Sequence, residues 1–225
     1  KISENFSTDL VHEIRNPLAS LKSASEIISD TSDKDKQESL LKIMIHDVSR
    51  IDRLITDYSQ MLKDELAISS EQMEDLDLKP VIESVVDDFN NIYVEKKNIN
   101  IQLNTSGSKT YFIKGIGNRI EQIIANLLDN AVSFSKSGKI VNVDLGENEN
   151  YTILKVSDEG EGFKESDIKK VFDRFYSNRP ENFGEHSGLG LNIVKNLVQI
   201  HNGEIYASNS PKGGAMIEIK FPKKL

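Results

Sequence analysis

Apolar residues recur at alternating spacings of three and four over the first part of the chain. Two series carry this pattern: Leu10, Ile14, Pro17, Leu21, Ala24 and Ile28, and then Leu41, Met44, Val48, Ile51, Ile55, Tyr58 and Leu62. Such spacing is typical of helices whose apolar seam faces a partner helix. A polar stretch, residues 30–35, separates the two series. The pattern therefore predicts a hairpin of two long amphipathic helices.

A hairpin of two helices has too little apolar surface of its own to cover such a seam. Pairing two copies into a four-helix bundle is the simplest way to bury it, so we expect a homodimer. The seam fades into the polar run 69–75. We therefore expect a dimerisation hairpin over residues 1–66 and a linker over residues 67–78.

The pattern changes after the linker, where helical periods and period-two alternation are interspersed. The pattern predicts helices over 80–96, 118–134 and 189–201, and strands over 99–103, 141–145, 151–156 and 214–221. Because the strands alternate apolar and polar residues, we expect one face of the sheet to pack in the core and the other to be exposed to solvent or covered in another way. We expect residues 79–225 to form an α/β two-layer sandwich rather than a doubly wound sheet.

Composition narrows the function classes. The 225 residues suffice for two domains, and 28 basic against 36 acidic residues give a net charge of −8. This charge balance lacks the excess of basic residues that is typical of proteins that bind nucleic acid or an anionic membrane surface. No cysteine is present, so disulfides and thiolate metal sites are excluded. The chain begins without Met and has no long apolar run, so we expect a fragment that reaches a membrane only through missing upstream segments.

His12 is the first residue with evident chemistry. With Leu10 at heptad position d it occupies position f, which faces away from the seam, so we expect an exposed imidazole. Neutral imidazole is a good nucleophile near pH 7. A lone surface histidine usually has no catalytic role. Here, however, Glu13 is adjacent, Asn16 follows one turn later, and Pro17 lies within the predicted helix, where it removes a backbone hydrogen bond.

The segment from Phe6 to Leu18 resembles the phosphoacceptor box of HisKA-type sensor histidine kinases. The resemblance implies that His12 is the phosphorylated residue and that Glu13 assists phosphoryl transfer. It also implies that Asn16 positions a water molecule when the hairpin dephosphorylates a partner response regulator.

Asn126 and Asn130 are spaced i, i+4 in a predicted helix, so their amide oxygens share one face. Oxygen ligands suit Mg²⁺, which also retains water and nucleotide phosphates, although two solvated asparagines would give the same spacing. The segment resembles the asparagine box of histidine kinases, in which Asn130 would hold the metal. Many members carry a lysine where this chain has Ser133, so that phosphate contact is left to Lys136 or another residue.

Asp158, Gly160 and Gly162 follow a predicted strand in a DxGxG pattern. Alone this is ordinary turn chemistry. The resemblance implies that Asp158 accepts a hydrogen bond from the adenine amine while the glycines let the base approach the backbone. A carboxylate can only accept, which favours adenine over guanine.

Phe172 and Phe175 resemble the phenylalanine box at the start of a nucleotide lid, and core packing explains both side chains. For Arg174 and Arg179 two interpretations stay open: one of them contacts a phosphate, or both are only exposed to solvent. The polar segment 177–186 is typical of a mobile lid. Gly188, Leu189 and Gly190 then open a helix, where backbone N–H groups favour phosphate. We expect these three residues and Arg174 to bind the nucleotide.

These boxes, in this order, are similar to the histidine kinase branch of the GHKL ATPases, and no Walker A motif is present. The resemblance implies a Mg²⁺- and ATP-dependent kinase that phosphorylates His12 and passes the group to the receiver domain of a response regulator. It implies the cytoplasmic part of an inner-membrane sensor. Two alternatives remain: an ATP-driven clamp that needs no His12, and a binding module without kinase activity.

Overall fold

The computed structural model describes residues 2–68, 71–107, 110–164, 166, 168–176, 188–211 and 213–223. The chain divides into two compact units; the described residues of the first form helices, and those of the second form an α/β fold. Each unit is described by itself below.

The first unit is a helical hairpin, as the apolar spacing predicted. Helix α1 spans Ile2–Asp30 and runs through Pro17, and helix α2 spans Lys34–Ile68. The predicted polar turn lies between them. Asp33 starts α2 by accepting hydrogen bonds on Oδ1 from the backbone N–H groups of Asp35 and Lys36, at 3.0 and 3.2 Å. A side-chain cap of this kind satisfies N–H groups that have no partner within the helix.

The seam of the hairpin is only partly covered within one chain. Ala24 and Leu54 are buried between the helices. By contrast, Leu41, Val48 and Ile55, which follow one another at heptad spacing on α2, are 50%, 56% and 49% exposed. The chain alone therefore leaves an apolar stripe on the hairpin, which is the surface that the sequence pattern assigned to a second copy.

Among its described residues, the second unit contains seven strands and three helices. In chain order these are β1 (Glu74–Asp77), α3 (Leu78–Lys97), β2 (Asn100–Thr105), β3 (Phe112–Gly115), α4 (Gly117–Phe134), β4 (Ile140–Glu147), β5 (Tyr151–Ser157), α5 (Gly190–Ile200), β6 (Glu204–Asn209) and β7 (Ala215–Pro222). The three predicted helices and four predicted strands are present, with ends that differ by a few residues. Strands β1, β3 and β6 were not predicted.

Five strands form one sheet in the order β2-β4-β5-β7-β6. Strand β2 is parallel to β4, and the other neighbours are antiparallel. Every second residue of β4 and β5 is buried, and α3, α4 and α5 pack against the sheet. The core thus lies between a helical layer and one sheet face, which confirms the predicted two-layer sandwich.

Residues 71–78 are tied to the second unit. Strand β1 pairs with β3 in an antiparallel ladder. Asp77 caps α3 by accepting from the Lys79 N–H at 3.2 Å, and it also accepts from the Tyr111 N–H at 2.9 Å. Glu71 forms an ion pair at 3.0 Å with Arg119, which is buried at the start of α4. The segment predicted as a linker, residues 67–78, therefore includes a strand and an anchoring ion pair.

Candidate functional site

The hairpin presents His12 and Asn16 on the exposed surface of α1, one helical turn apart. The exposure of His12 confirms the prediction from its heptad position. Glu13 is half-buried, and its Oε2 accepts a hydrogen bond from Nη2 of Arg50 at 3.1 Å. Arg50 lies on α2 and was missed by the sequence reasoning, because its partner lies across the hairpin. The ion pair restrains the carboxylate of Glu13, the residue that follows His12 in the sequence.

Asn126 and Asn130 are half-buried on α4 and lie near the first residue of α5. Nδ2 of Asn126 donates to the carbonyl oxygen of Gln122 at 2.8 Å. A Cβ added at Gly190 would lie 3.1 Å from Oδ1 of Asn126 and 3.5 Å from Nδ2 of Asn130. The fold therefore brings together two motifs that are about sixty residues apart in the sequence, and a larger residue at position 190 would crowd the Asn126 amide.

Asp158 follows β5 and is buried, with 7% of its surface exposed. Its Oδ1 accepts hydrogen bonds from the backbone N–H groups of Gly160 and Ala215, at 2.8 and 3.1 Å. Burial raises the pKa of the Asp158 carboxyl, and the two N–H donors oppose that shift. Within the described part of the chain both donors act on Oδ1, so Oδ2 keeps its capacity to accept from a ligand.

The turn after Asp158 fits closely against its surroundings. A Cβ at Gly160 would lie 2.7 Å from the carbonyl oxygen of Phe134, at the end of α4. Gly162 has a φ of 77°. The glycines of the DxGxG pattern therefore occupy positions that a larger side chain would disturb, as the motif predicted.

Helix α5 begins at Gly190, and its N-cap residue, Leu189, is fully buried and makes no side-chain cap. The first N–H groups of a helix have no acceptor in their own helix and carry the positive end of its dipole. Gly188 has a φ of 73°, and a Cβ there would lie 2.7 Å from the backbone of Phe175. The start of α5 thus has the arrangement that suits a phosphate group.

The segment before the predicted lid is fastened to α5 by a residue that the motifs did not indicate. Asn192 is buried, and its Nδ2 donates to the carbonyl oxygen of Phe172 at 2.9 Å. Phe172, Arg174 and Phe175 are half-buried, which agrees with packing for the two phenylalanines. Arg179 and the predicted lid, residues 177–186, lie outside the described residues.

Two family models match the two units. The His Kinase A (phospho-acceptor) domain matches residues 3–67, and the histidine kinase-, DNA gyrase B- and HSP90-like ATPase domain matches residues 115–225. The chain belongs to the sensor histidine kinases.

A curated relative agrees with this assignment, and two solved structures share the fold. Sensor protein ChvG of Agrobacterium fabrum is 37% identical over 214 residues, which are 92% of this chain and 36% of that protein. The chain thus spans about a third of the length of this curated relative. Histidine kinase AdeS of Acinetobacter baumannii superposes with a TM-score of 0.62 at 24% identity, covering 95% of this chain and 98% of that one. Histidine kinase ThkA, solved in complex with response regulator TrrA, gives a TM-score of 0.68 at 20% identity over 98% of this chain and 61% of that one.

Ser133 is the departure from the kinase asparagine box, and the structure shows where its side chain points. Ser133 is buried, and its hydroxyl donates to the carbonyl oxygen of Asp129 one turn earlier, at 2.6 Å. That hydroxyl is therefore engaged with its own helix. Lys136, which the sequence offered as a replacement for the missing lysine, is exposed just beyond the end of α4.

Two further properties bear on the kinase core. Within the ranges that the structure describes, no helix has both the length and the apolar character needed to cross a membrane. Among those same residues, no group of three or more His, Asp or Glu side chains is placed to hold a metal ion. A magnesium ion at Asn130 would thus need further oxygen ligands from nucleotide phosphates and water, which is how Mg²⁺ is commonly held.

Proposed function

We propose that the chain is an ATP-dependent protein-histidine kinase that phosphorylates its own His12. The observation that carries this proposal is the proximity of Asn126 and Asn130 to Gly190, the first residue of α5. The side-chain amides of two asparagines and the N–H groups at the start of a helix are thereby placed side by side. This pairing fits a magnesium nucleotide.

ATP would lie across the second unit in a defined direction. Oδ2 of Asp158 accepts from the exocyclic amine of adenine, while Gly160 and Gly162 leave room for the base. Gly188, Leu189 and Gly190 bind phosphate oxygens through backbone N–H groups, with Arg174 as an additional cation. Asn130, supported by Asn126, would hold Mg²⁺, which would supply positive charge to neutralise the phosphates.

His12 would act as the nucleophile. A ring nitrogen of the neutral imidazole attacks the γ-phosphorus, the bond from that phosphorus to the β–γ bridging oxygen breaks, and ADP leaves. The other ring nitrogen then gives its proton to Glu13. The 3.1 Å ion pair with Arg50 restrains the Glu13 carboxylate for this role. Catalysis rests mainly on positioning the two partners in line.

The phosphohistidine would pass its phosphoryl group to an aspartate in the receiver domain of a response regulator. The same surface, with Asn16 orienting a water molecule, would dephosphorylate that regulator. The exposed stripe of Leu41, Val48 and Ile55 supports a homodimer that buries it in a four-helix bundle. We place this core in the cytoplasm, as part of an inner-membrane sensor.

Incubation with γ-labelled ATP and Mg²⁺ tests the proposal. The wild-type chain should gain label that is labile in acid and stable in alkali, and Asn130→Ala should lose it together with Mg²⁺-dependent nucleotide binding. An ATP-driven clamp would instead hydrolyse ATP without retaining label. A binding module without kinase activity would show no thermal shift with Mg·ATP, and that result would refute the proposed function.

A further inference from the structure

The turn that carries Asp158 is held by hydrogen bonds to a segment that lies outside the nucleotide motifs. This segment runs from the end of β6 to the start of β7, and its described residues, 209–211 and 213–215, are called here the β6–β7 turn. It contacts the Asp158 turn, residues 158–163, at both ends. We propose that the β6–β7 turn, and Asn209 in particular, positions Asp158 and thereby sets the preference for ATP over triphosphates without a 6-amino group. This inference rests on the proposed nucleotide role of Asp158.

Asn209 holds the far end of the Asp158 turn with two hydrogen bonds. Its Oδ1 accepts from the backbone N–H of Phe163 at 2.7 Å, and its Nδ2 donates to the carbonyl oxygen of Phe163 at 2.9 Å. One side chain thus satisfies both backbone groups of a single residue, as a neighbouring strand would. The two bonds fix the position and the orientation of the backbone at residue 163.

Ala215 holds the near end of the same turn. Its N–H donates to Oδ1 of Asp158 at 3.1 Å, and its carbonyl oxygen accepts from the Asp158 N–H at 3.0 Å. Gly214 has a φ of 84°, and a Cβ at this residue would overlap the carbonyl oxygen of Asp158. Only glycine fits this approach, so the β6–β7 turn lies directly against the backbone of Asp158.

These contacts determine which carboxylate oxygen faces a ligand. Oδ1 of Asp158 is engaged by Ala215 and Gly160, so the rotation of the carboxylate is fixed and Oδ2 is presented in one direction. Releasing residue 163 would loosen Gly160 and Gly162 between the two anchors. The hydrogen bond to an adenine amine depends on this direction, whereas phosphate binding at α5 does not.

Asn209 is suited to a test because it is exposed, so its truncation leaves the core intact. Asn148 is a matched control. It lies beyond the opposite end of β5, where its Oδ1 accepts from the N–H groups of Asn150 and Tyr151 at 3.0 and 2.8 Å. Each asparagine thus fixes a turn through two side-chain hydrogen bonds to backbone, and only Asn209 acts on the turn of Asp158.

The experiment measures the dissociation constants of ATP and of inosine triphosphate, which lacks the 6-amino group, by calorimetry with Mg²⁺ on the full chain. Asn209→Ala should raise the ATP dissociation constant about fivefold, the value of roughly one hydrogen bond, and leave that of inosine triphosphate unchanged. Asn148→Ala should leave the ratio of the two constants at the wild-type value.

An unchanged ratio in Asn209→Ala, or equal weakening of both nucleotides, would overturn the positioning role while leaving the proposed function intact. An equal change of the ratio in Asn148→Ala would overturn it as well, because the effect would then be one of general stability. A wild-type chain that binds both triphosphates equally would instead refute the role of Asp158 in reading adenine.

Discussion

The two units of the chain differ in how far each satisfies its own apolar residues. The α/β unit buries a continuous set of aliphatic side chains, and Ile120, Ile123 and Leu128 of α4 are at most 1% exposed. The hairpin buries Leu54 to the same degree but leaves Val48 more than half exposed. The α/β unit therefore has a core of its own, whereas the hairpin leaves apolar surface that the proposed dimer would bury.

A charged residue in the seam of the hairpin should produce the largest effect, because the hairpin is the unit that leaves apolar surface for a second copy to cover. Ile55→Asp would place two carboxylates in the dimer interface, so the dimer dissociation constant should rise on the order of a hundredfold. Sedimentation velocity measures this change. Thr56→Asp is the control, because Thr56 is exposed and lies next to Ile55 but outside the seam.

Nucleotide binding by the Ile55→Asp variant should stay at the wild-type level, since the α/β unit has its own core. A variant that remains dimeric, or a variant that also loses ATP binding, would contradict the contrast between the two units.

The α/β unit should respond to acid through His201, which is 3% exposed. Its Nε2 accepts from the N–H of Ile116 at 3.1 Å, so Nδ1 carries the proton and donates to the carbonyl oxygen of Leu197 at 2.7 Å. Burial lowers the pKa of His201 below its usual 6.5. The folded state therefore keeps this histidine neutral at pH values where the unfolded chain binds a proton.

The contribution of His201 to the free energy of unfolding is complete above the pKa of the unfolded state. It decreases as the pH drops from about 6.5 toward the pKa of the folded state, and the slope approaches ~1.4 kcal/mol per pH unit. Thermal unfolding between pH 7.5 and 5 measures it. His201→Gln should flatten the slope, and His46→Ala, which changes an exposed histidine, should not. A slope that is equal in all three proteins would exclude this role for His201.

The smallest effect should come from the ion pair within the hairpin. Arg50 and Glu13 have side chains that are 45% and 27% exposed, so Arg50→Ala should cost less than about 1 kcal/mol of stability. The rate of His12 phosphorylation should nevertheless fall several-fold, because Glu13 loses its restraint. Lys42→Ala removes the comparable pair with Glu38 and should leave the rate unchanged. Equal rates in both variants would mean that Arg50 has no positioning role.

The sequence predicted the elements that carry a periodic pattern of their own. The long helices and the strands β2, β4, β5 and β7 alternate clearly enough to be found locally. Strand β1 has the sequence Glu-Asp-Leu-Asp and one apolar residue, and it is ordered by pairing with β3. No local pattern encodes such a partner.

The same limit applies to the site. Each motif marked its own residues, and their order indicated a nucleotide site. The side chains that hold the motifs in place are tertiary partners: Arg50 acts across the hairpin, Asn192 binds the backbone of Phe172, and Asn209 binds that of Phe163. Such contacts join residues far apart in the chain, so spacing rules do not reveal them.

The proposed function requires that ATP bound to the α/β unit donate its γ-phosphoryl group to His12 of the hairpin. The most direct measurement is the label retained from γ-labelled ATP by the wild type, His12→Ala and His46→Ala, since both histidines are exposed on hairpin helices. This transfer predicts equal, acid-labile label on the wild type and His46→Ala, and none on His12→Ala. Label that persists on His12→Ala would contradict it.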